Sequence, residues 1–348
     1  MRIAWVLYGS LEQRTGGTIY DAEVVRGLER AGEDVQVVSL DEAASEDALA
    51  ERLRAIAPEV IVGDELCFRQ LAAAYQSLGR ESKPPPLRVL LVHHLTAWET
   101  ELAPEVRRAA LSAEKEAIDA SDRIVATSRT TRERLLAEGA PRVDIDVVLP
   151  GADRLTREPT REREQGEEVR FAFVGSIVPR KRVLELVRAF AGGAHESGRL
   201  TLVGSTTRDD AYVGEVRDAI ARLGLGGRVL MTGEVDETGV SRALADADVL
   251  VMPSSLEGYG IAATEAIYAG VPVIAARAQG LGEALAPCPD GAMFADDEAA
   301  LAAALARFAT DAPLRAVMIA AARAAAPRMP TWAACAEQFR RCLGRAPA

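Results

Sequence analysis

Residues 169–190 read VRFAFVGSIVPRKRVLELVRAF, and this stretch decides the fold. An apolar run, VRFAFV, ends on Gly175, and a short loop follows. Arg180, Lys181 and Arg182 then open a segment with helical apolar spacing, VLELVRAF. A strand apolar on both faces, leaving through a glycine into a helix, is the repeating element of a parallel sheet covered on both sides. The same element recurs in this half of the chain at RLTLVG, RVLMTG, DVLVMPS and VPVIAA. In the other half it recurs at IAWVLY, VQVVSL, EVIVG, LRVLLV, DRIVATS and VDIDVVL. Helical stretches of about ten residues or more separate these runs, and right-handed crossovers make each half a doubly wound α/β domain.

The expected organisation is a first Rossmann-like domain over 1–155, an exposed charged linker TREPTREREQGEE over 156–168, and a second Rossmann-like domain over 169–330. A last helix, about 331–345, carries an aromatic face (TWAACAEQFRRCL) able to fold back on the first domain. A net charge of −11 argues against nucleic acid, whose phosphates demand a basic face, and against adhesion to anionic lipid. No run approaches the ~20 apolar residues needed to span a bilayer. The first residues, MRIAWVLYGS, read as a strand and not as a secretion leader, and the four cysteines form no CxxC pair. The reading is a cytoplasmic protein with reduced thiols.

In open α/β sheets ligands sit beyond the carboxyl ends of the strands, so the residues leaving each strand carry the functional information. After the first strand, Gly16 and Gly17 open a helix whose bare backbone N–H groups suit a phosphate or a closely approaching sugar. The dinucleotide pattern GxGxxG is absent, which argues against an NAD-type site. His93 and His94 end LRVLLV; neighbouring strand residues face opposite ways, so one of the two is expected to line the site, and the sequence does not say which. Lys181, with Arg180 and Arg182, stands where a diphosphate can be neutralised. In SSLEGYGIAATEA, residues 254–266, a Gly-Tyr-Gly turn leads into a helix of small residues. Backbone groups of Gly258, Tyr259 and Gly260 can face an anion or sugar hydroxyls. Glu265, about one turn into the helix, can accept both vicinal hydroxyls of a ribose, and Glu257 can reach a second polyol. Asp246 and Asp248 spell DxD, but they lead straight into a strand and read as capping residues. No His/Cys/Asp set has metal-ligand spacing, so no metal site is expected.

The Gly-Gly turn, the strand-end histidine, VGSIVPRK and EGYGIAATE occur in the order seen in retaining glycosyltransferases of the GT-B fold, family GT4, which the chain resembles over essentially its whole length. That resemblance implies two Rossmann-like domains facing an interdomain cleft and a hexosyltransferase-type enzyme needing no metal or other cofactor. It implies a nucleotide-diphosphate sugar donor held mainly by the second domain and a small-molecule or glycan acceptor held mainly by the first, with loops such as 95–101 shaping acceptor choice. Glu265 would hold the ribose, Glu257 and the backbone of Gly258 to Gly260 the donor sugar, and Lys181 the departing diphosphate. Gly16 or Gly17 would approach the diphosphate from the opposite wall. Two positions depart from the family pattern: Ser176 stands where Arg is frequent, and Arg182 where Gly is frequent, so Arg180 or Arg182 would compensate. The alternatives on the same scaffold are a nucleotide-sugar epimerase or hydrolase, and a non-catalytic sugar-nucleotide binding protein.

Overall fold

A computed structural model of the 348-residue chain describes residues 1–41, 44–81, 84–99, 102–140, 145–159 and 166–344. The chain divides into two compact units, one formed by 1–150 together with 331–348, the other by 151–330. Of the expected linker, residues 160–165 lie outside the described residues.

The first unit is built on six parallel strands, β1 (Arg2–Tyr8), β2 (Asp34–Leu40), β3 (Val60–Asp64), β4 (Leu87–Val92), β5 (Arg123–Ala126) and β6 (Ile145–Val147), ordered β2-β1-β3-β4-β5-β6. Ile3 pairs with Val35 on one side and Val60 on the other, so β1 is central and its apolar run is buried on both faces. The order reverses between β1 and β3, which opens a crevice at their carboxyl ends.

The helix Trp332–Leu343 returns to this unit and lies on the helix Gly16–Arg30. Its Phe339 ring sits 5.3 Å from Trp5, and Tyr20 meets Trp332 and Phe339 edge-on. The helices approach so closely that a Cβ on Gly27 would stand 2.2 Å from that of Ala336. Polar ties fix the register: Arg340 Nε donates to Glu33 at 2.8 Å, Gln338 Nε2 donates to the Val147 carbonyl at 2.7 Å, and buried Arg123 donates to the Cys342 carbonyl. Tyr20 also touches His93 edge-on at 5.3 Å, so the terminal helix backs the end of β4 through one ring.

The second unit has β7 (Val169–Val174), β8 (Gly198–Val203), β9 (Val229–Gly233), β10 (Val249–Met252), β11 (Val273–Ala275) and β12 (Ala292–Phe294), all parallel, in the order β12-β11-β10-β7-β8-β9. Residue alternation along β7 feeds two cores, as the period of two requires. Phe171 and Phe173 join Phe190 and Phe308 on one face, while Ala172 joins Leu250, Met252 and Ile267 on the other. Entry and exit of this unit lie side by side, since the Ala152 amide donates to the Pro330 carbonyl at 2.8 Å. Ala152 and Leu155 are buried in its core, which is why the division falls after Pro150. The three-residue edge strand β12 was not marked in the sequence; AMF is too short to show a period. Among the described residues, no helix is long and apolar enough to cross a membrane. All four cysteines are buried and free.

Candidate functional site

In the second unit the strand order reverses between β7 and β10, and the residues leaving these two strands converge. The ends of β7 and β8 nearly touch: a Cβ on Gly204 would lie 1.9 Å from the Gly175 carbonyl oxygen, and both glycines hold positive φ. Ser176 follows, its carbonyl accepting the Val178 amide. Contrary to the sequence expectation, the basic triplet does not begin the helix. Pro179–Lys181 forms a single 3-10 turn, and Arg182, at φ 52° in the left-handed region, caps the helix Val183–Gly193. Pro179 supplies a fixed φ and Arg182 the reversal. Lys181 is thereby turned back on the strand end, its Cε 3.8 Å from the position of a Cβ on Gly175.

Lys181 Nζ donates to Glu257 Oε1 at 2.5 Å, with Glu257 buried and Lys181 partly buried. The two loops are laced further. The Arg180 carbonyl accepts from the Ser255 amide at 2.8 Å and from its hydroxyl at 3.1 Å, and the Arg180 guanidinium reaches the Leu256 carbonyl. Burial opposes the charge on Glu257, but Lys181 and Arg180 outweigh it and hold the carboxyl below its usual range. Burial lowers the Lys181 pKa despite Glu257.

Beyond Glu257 the chain turns at Gly260, φ +108°, into the helix Ile261–Tyr268. The turn is braced from the next loop. The Gly280 amide donates to the Glu257 carbonyl at 3.0 Å, and a Cβ on Gly280 would stand 2.4 Å from Tyr259 Cα and 2.5 Å from the Gly258 carbonyl oxygen. Only glycine permits that approach. Thr264 donates its hydroxyl to the Ile261 carbonyl at 2.8 Å.

Glu265, 3 % exposed, is held by a residue the sequence reading did not single out. Arg154 Nε and Nη2 stand 3.0 and 2.8 Å from Glu265 Oε1, and Nη1 lies 2.9 Å from Glu237. Burial opposes the guanidinium's charge, but Glu265 and Glu237 outweigh it and raise the Arg154 pKa. The only sequence signal for Arg154 is indirect: a buried helical Glu requires a cation, and nothing local says that it comes from 111 residues upstream. Asp246 and Asp248 are structural. Asp246 pairs with Arg170, and buried Asp248 accepts the Arg170 amide at 2.9 Å.

In the first unit Gly16 and Gly17 open the helix Gly16–Arg30, and Thr15 and Thr18 form a capping box across its first turn. The two glycines differ. Gly16 faces open space, whereas a Cβ on Gly17 would press on His93 Cδ2 at 3.3 Å. The two histidines also part. Glu65 accepts both backbone amides, at 3.2 and 3.5 Å. His93 then turns its Nε2 toward Asp21 (3.4 Å) and Asp64 (3.7 Å), and His94 turns to Glu99 at 3.4 Å. The structure brings His93 beside Gly17 and leaves His94 elsewhere. Of the 95–101 loop, Thr100 and Glu101 lie outside the described residues. Burial opposes a proton on His93, but Glu65, Asp21 and Asp64 outweigh it and raise its pKa to about 10. Burial and the neighbouring acids raise Asp64 well above its usual range.

Two doubly wound parallel sheets with charged loops at their strand ends place the fold in the GT-B class, and comparison with known proteins agrees. Residues 156–325 match the family described as "Glycosyl transferases group 1". The match lies within the second unit and spans nearly all of it. A D-inositol 3-phosphate glycosyltransferase of Nocardia farcinica is 34 % identical over 206 residues, covering 54 % of this chain and 44 % of that protein. One from Kineococcus radiotolerans is 28 % identical over 321 residues, covering 76 % and 74 %. The chain spans about half the length of the first curated relatives it matches. Among solved structures, sucrose-phosphate synthase from Thermosynechococcus elongatus superposes with a TM-score of 0.83 at 20 % identity over 98 % of both chains. Anabaena Alr3699/HepE, in complex with UDP and glucose, gives 0.79 at 18 % over 99 % of both.

Proposed function

We propose that the chain is a retaining hexosyltransferase that moves a sugar from a nucleoside-diphosphate sugar to an acceptor hydroxyl, with no metal ion on the diphosphate. The observation that carries this reading is the pairing of Lys181 with Glu257 across the loops leaving β7 and β10, at the topological switch point of the second unit. Glu265, oriented by Arg154, accepts the ribose hydroxyls. Glu257 and the backbone of Gly258, Tyr259 and Gly260 contact the donor sugar.

As the glycosidic bond to phosphate breaks, positive charge spreads over the anomeric carbon and ring oxygen, and negative charge grows on the departing diphosphate. Lys181 carries three N–H donors and gives one to Glu257, so the others are available where that negative charge develops. Arg180 adds a second fixed cation and Ser176 a hydroxyl. The fixed positive charge of Lys181 does the work a metal would do elsewhere. In the first unit, the backbone N–H groups of Gly16 or Gly17 are offered to a phosphate, and His93 stands beside Gly17.

Support for the substrate class comes from the relatives' names. Curated relatives similar in sequence are D-inositol 3-phosphate glycosyltransferases, and one solved neighbour was crystallised with UDP-glucose. A UDP-hexose and a phosphorylated polyol are therefore the first pair to test. Incubating that pair with the full chain and reading the product by proton NMR decides the matter: the account expects a glycoside with the donor's anomeric configuration. The opposite anomer contradicts retention. Free hexose or an epimer, with no glycoside, replaces transfer by hydrolysis or epimerisation.

A further inference from the structure

The first unit holds a group of buried acids that the transfer reaction does not call upon. Asp21 comes from the helix after β1, Asp64 ends β3, and His93 follows β4, so the crevice between β1 and β3 gathers three distant segments at one point. One ligand atom of each, two carboxylate oxygens and an imidazole nitrogen, lies within 4.8 Å of the others. Asp21 is fully buried, yet neither of its oxygens has a hydrogen-bond partner, and His93 Nε2 has none either. Buried polar atoms are paired in native proteins, so three orphans aimed at one point require a partner.

The charge count points the same way. Asp21, Asp64 and Glu65 are all buried, and among the described residues no Lys or Arg forms an ion pair with any of them. One imidazole faces three carboxylates. Glu65 is engaged by the amides of His93 and His94, which leaves Asp21 and Asp64 with excess negative charge. The distances discriminate further. Separations of 3.4 and 3.7 Å are long for hydrogen bonds between an imidazolium and carboxylates, which close to about 2.7–2.9 Å. They lie nearer the edges of a coordination shell: arms of about 2.0–2.1 Å arranged tetrahedrally put ligand atoms roughly 3.3–3.4 Å apart, which the Asp21 separation matches and the Asp64 separation exceeds by a few tenths of an ångström.

We propose that Asp21, Asp64 and His93 bind one divalent cation of the zinc type. An imidazole with two carboxylates suits zinc and its transition-series neighbours, whereas magnesium and calcium favour all-oxygen shells. Gly17 leaves room beside His93 Nε2, since a Cβ there would stand 3.5 Å from it. The cation would lock the ends of β3 and β4 to the helix after β1, and with them the backbone at Gly17. It belongs to the first unit and is distinct from the fixed charges of Lys181 and Arg180 in the second. None of the sequence spacings could reveal it, because the ligands stand 43 and 29 positions apart.

The test uses the full chain, stripped with a chelator and titrated with Zn²⁺ alone, with no sugar nucleotide present, so its outcome is independent of the transfer reaction. The wild type should take up one equivalent and gain thermal stability by mass action. Asp21→Asn and Asp64→Asn should each weaken uptake by about 100-fold or more, since even outer-sphere partners are worth about 10–100-fold. Zinc X-ray absorption on the wild-type complex reads the ligand set without any variant and should show one imidazole with oxygen neighbours and no sulfur. Absence of uptake by the wild type, uptake unchanged in both variants, or a sulfur-bearing shell each overturns the proposal. The first of these outcomes assigns the cluster to protons held between His93 and the acids.

Discussion

In the second unit Lys181 sits 2.5 Å from Glu257, and Arg154 spans Glu265 and Glu237, so each buried acid at the switch point has a cation of its own. At the corresponding crevice of the first unit, Asp21, Asp64 and Glu65 face the single imidazole of His93. The folds around the two are alike, with parallel sheets, a reversal of strand order and a helix after each strand. What differs is who supplies the positive charge. The second unit brings its own, and under the proposed function these preorganised cations are what an anionic diphosphate would meet. The first unit has an unmet demand, which the proposed cation satisfies.

The largest expected effect breaks that balance in the second unit. Arg154→Met leaves Glu265 buried without its cation and should cost about 3–5 kcal/mol of stability; urea unfolding measures it, and a loss below 1 kcal/mol would show that Glu265 is served by other partners. Next is Lys181→Ala. Removing a donor aimed at developing charge costs about 10²–10³ in turnover, and single-turnover kinetics on folded protein reads that loss directly. Near-normal turnover would remove Lys181 from the reaction.

These predictions concern residues of unequal legibility. The apolar runs of β1, β4, β7 and β10 announce a parallel sheet because both faces are buried, so no polar alternation interrupts them. Lys181, Glu257 and Glu265 stand out because they leave such runs beside glycines. Arg154 does not, since it lies in GADRL, which carries no period and no motif, and its partner is distant in the chain. Asp21 and Asp64 read as a helix acid and a strand-end acid; only the convergence of three elements makes them a group. The helix starts at Val183 and not at the basic triplet, because a left-handed Arg182 cannot be inferred from a residue type that rarely adopts it.

A smaller effect concerns pH. Burial opposes the charge on Asp122, but its three bonds from Arg88, at 2.9, 2.9 and 2.6 Å, outweigh it and hold the carboxyl below its usual range. A carboxyl with a depressed folded pKa stabilises the protein above its unfolded value, near 3.9, and that contribution is lost as pH falls through the folded value. Asp122→Asn should therefore lower the urea midpoint at pH 7 and lower it much less at pH 3. Equal losses at both pH values would deny the charged contribution. The smallest effect belongs to Arg182→Gly, which removes a left-handed non-glycine residue and should stabilise the loop by about 1 kcal/mol. A lower unfolding midpoint would mean that the Arg182 side chain contributes more than its backbone strain costs.

The central claim is that the second unit holds a nucleotide-sugar donor through Glu265 and Lys181. Calorimetric titration of the full chain and of Glu265→Gln with a panel of UDP-sugars tests it most directly. The account predicts one preferred donor for the wild type and a dissociation constant raised about 10- to 100-fold in the variant, the weight of hydrogen bonds to a charged group. Equal affinity in the two proteins would contradict it.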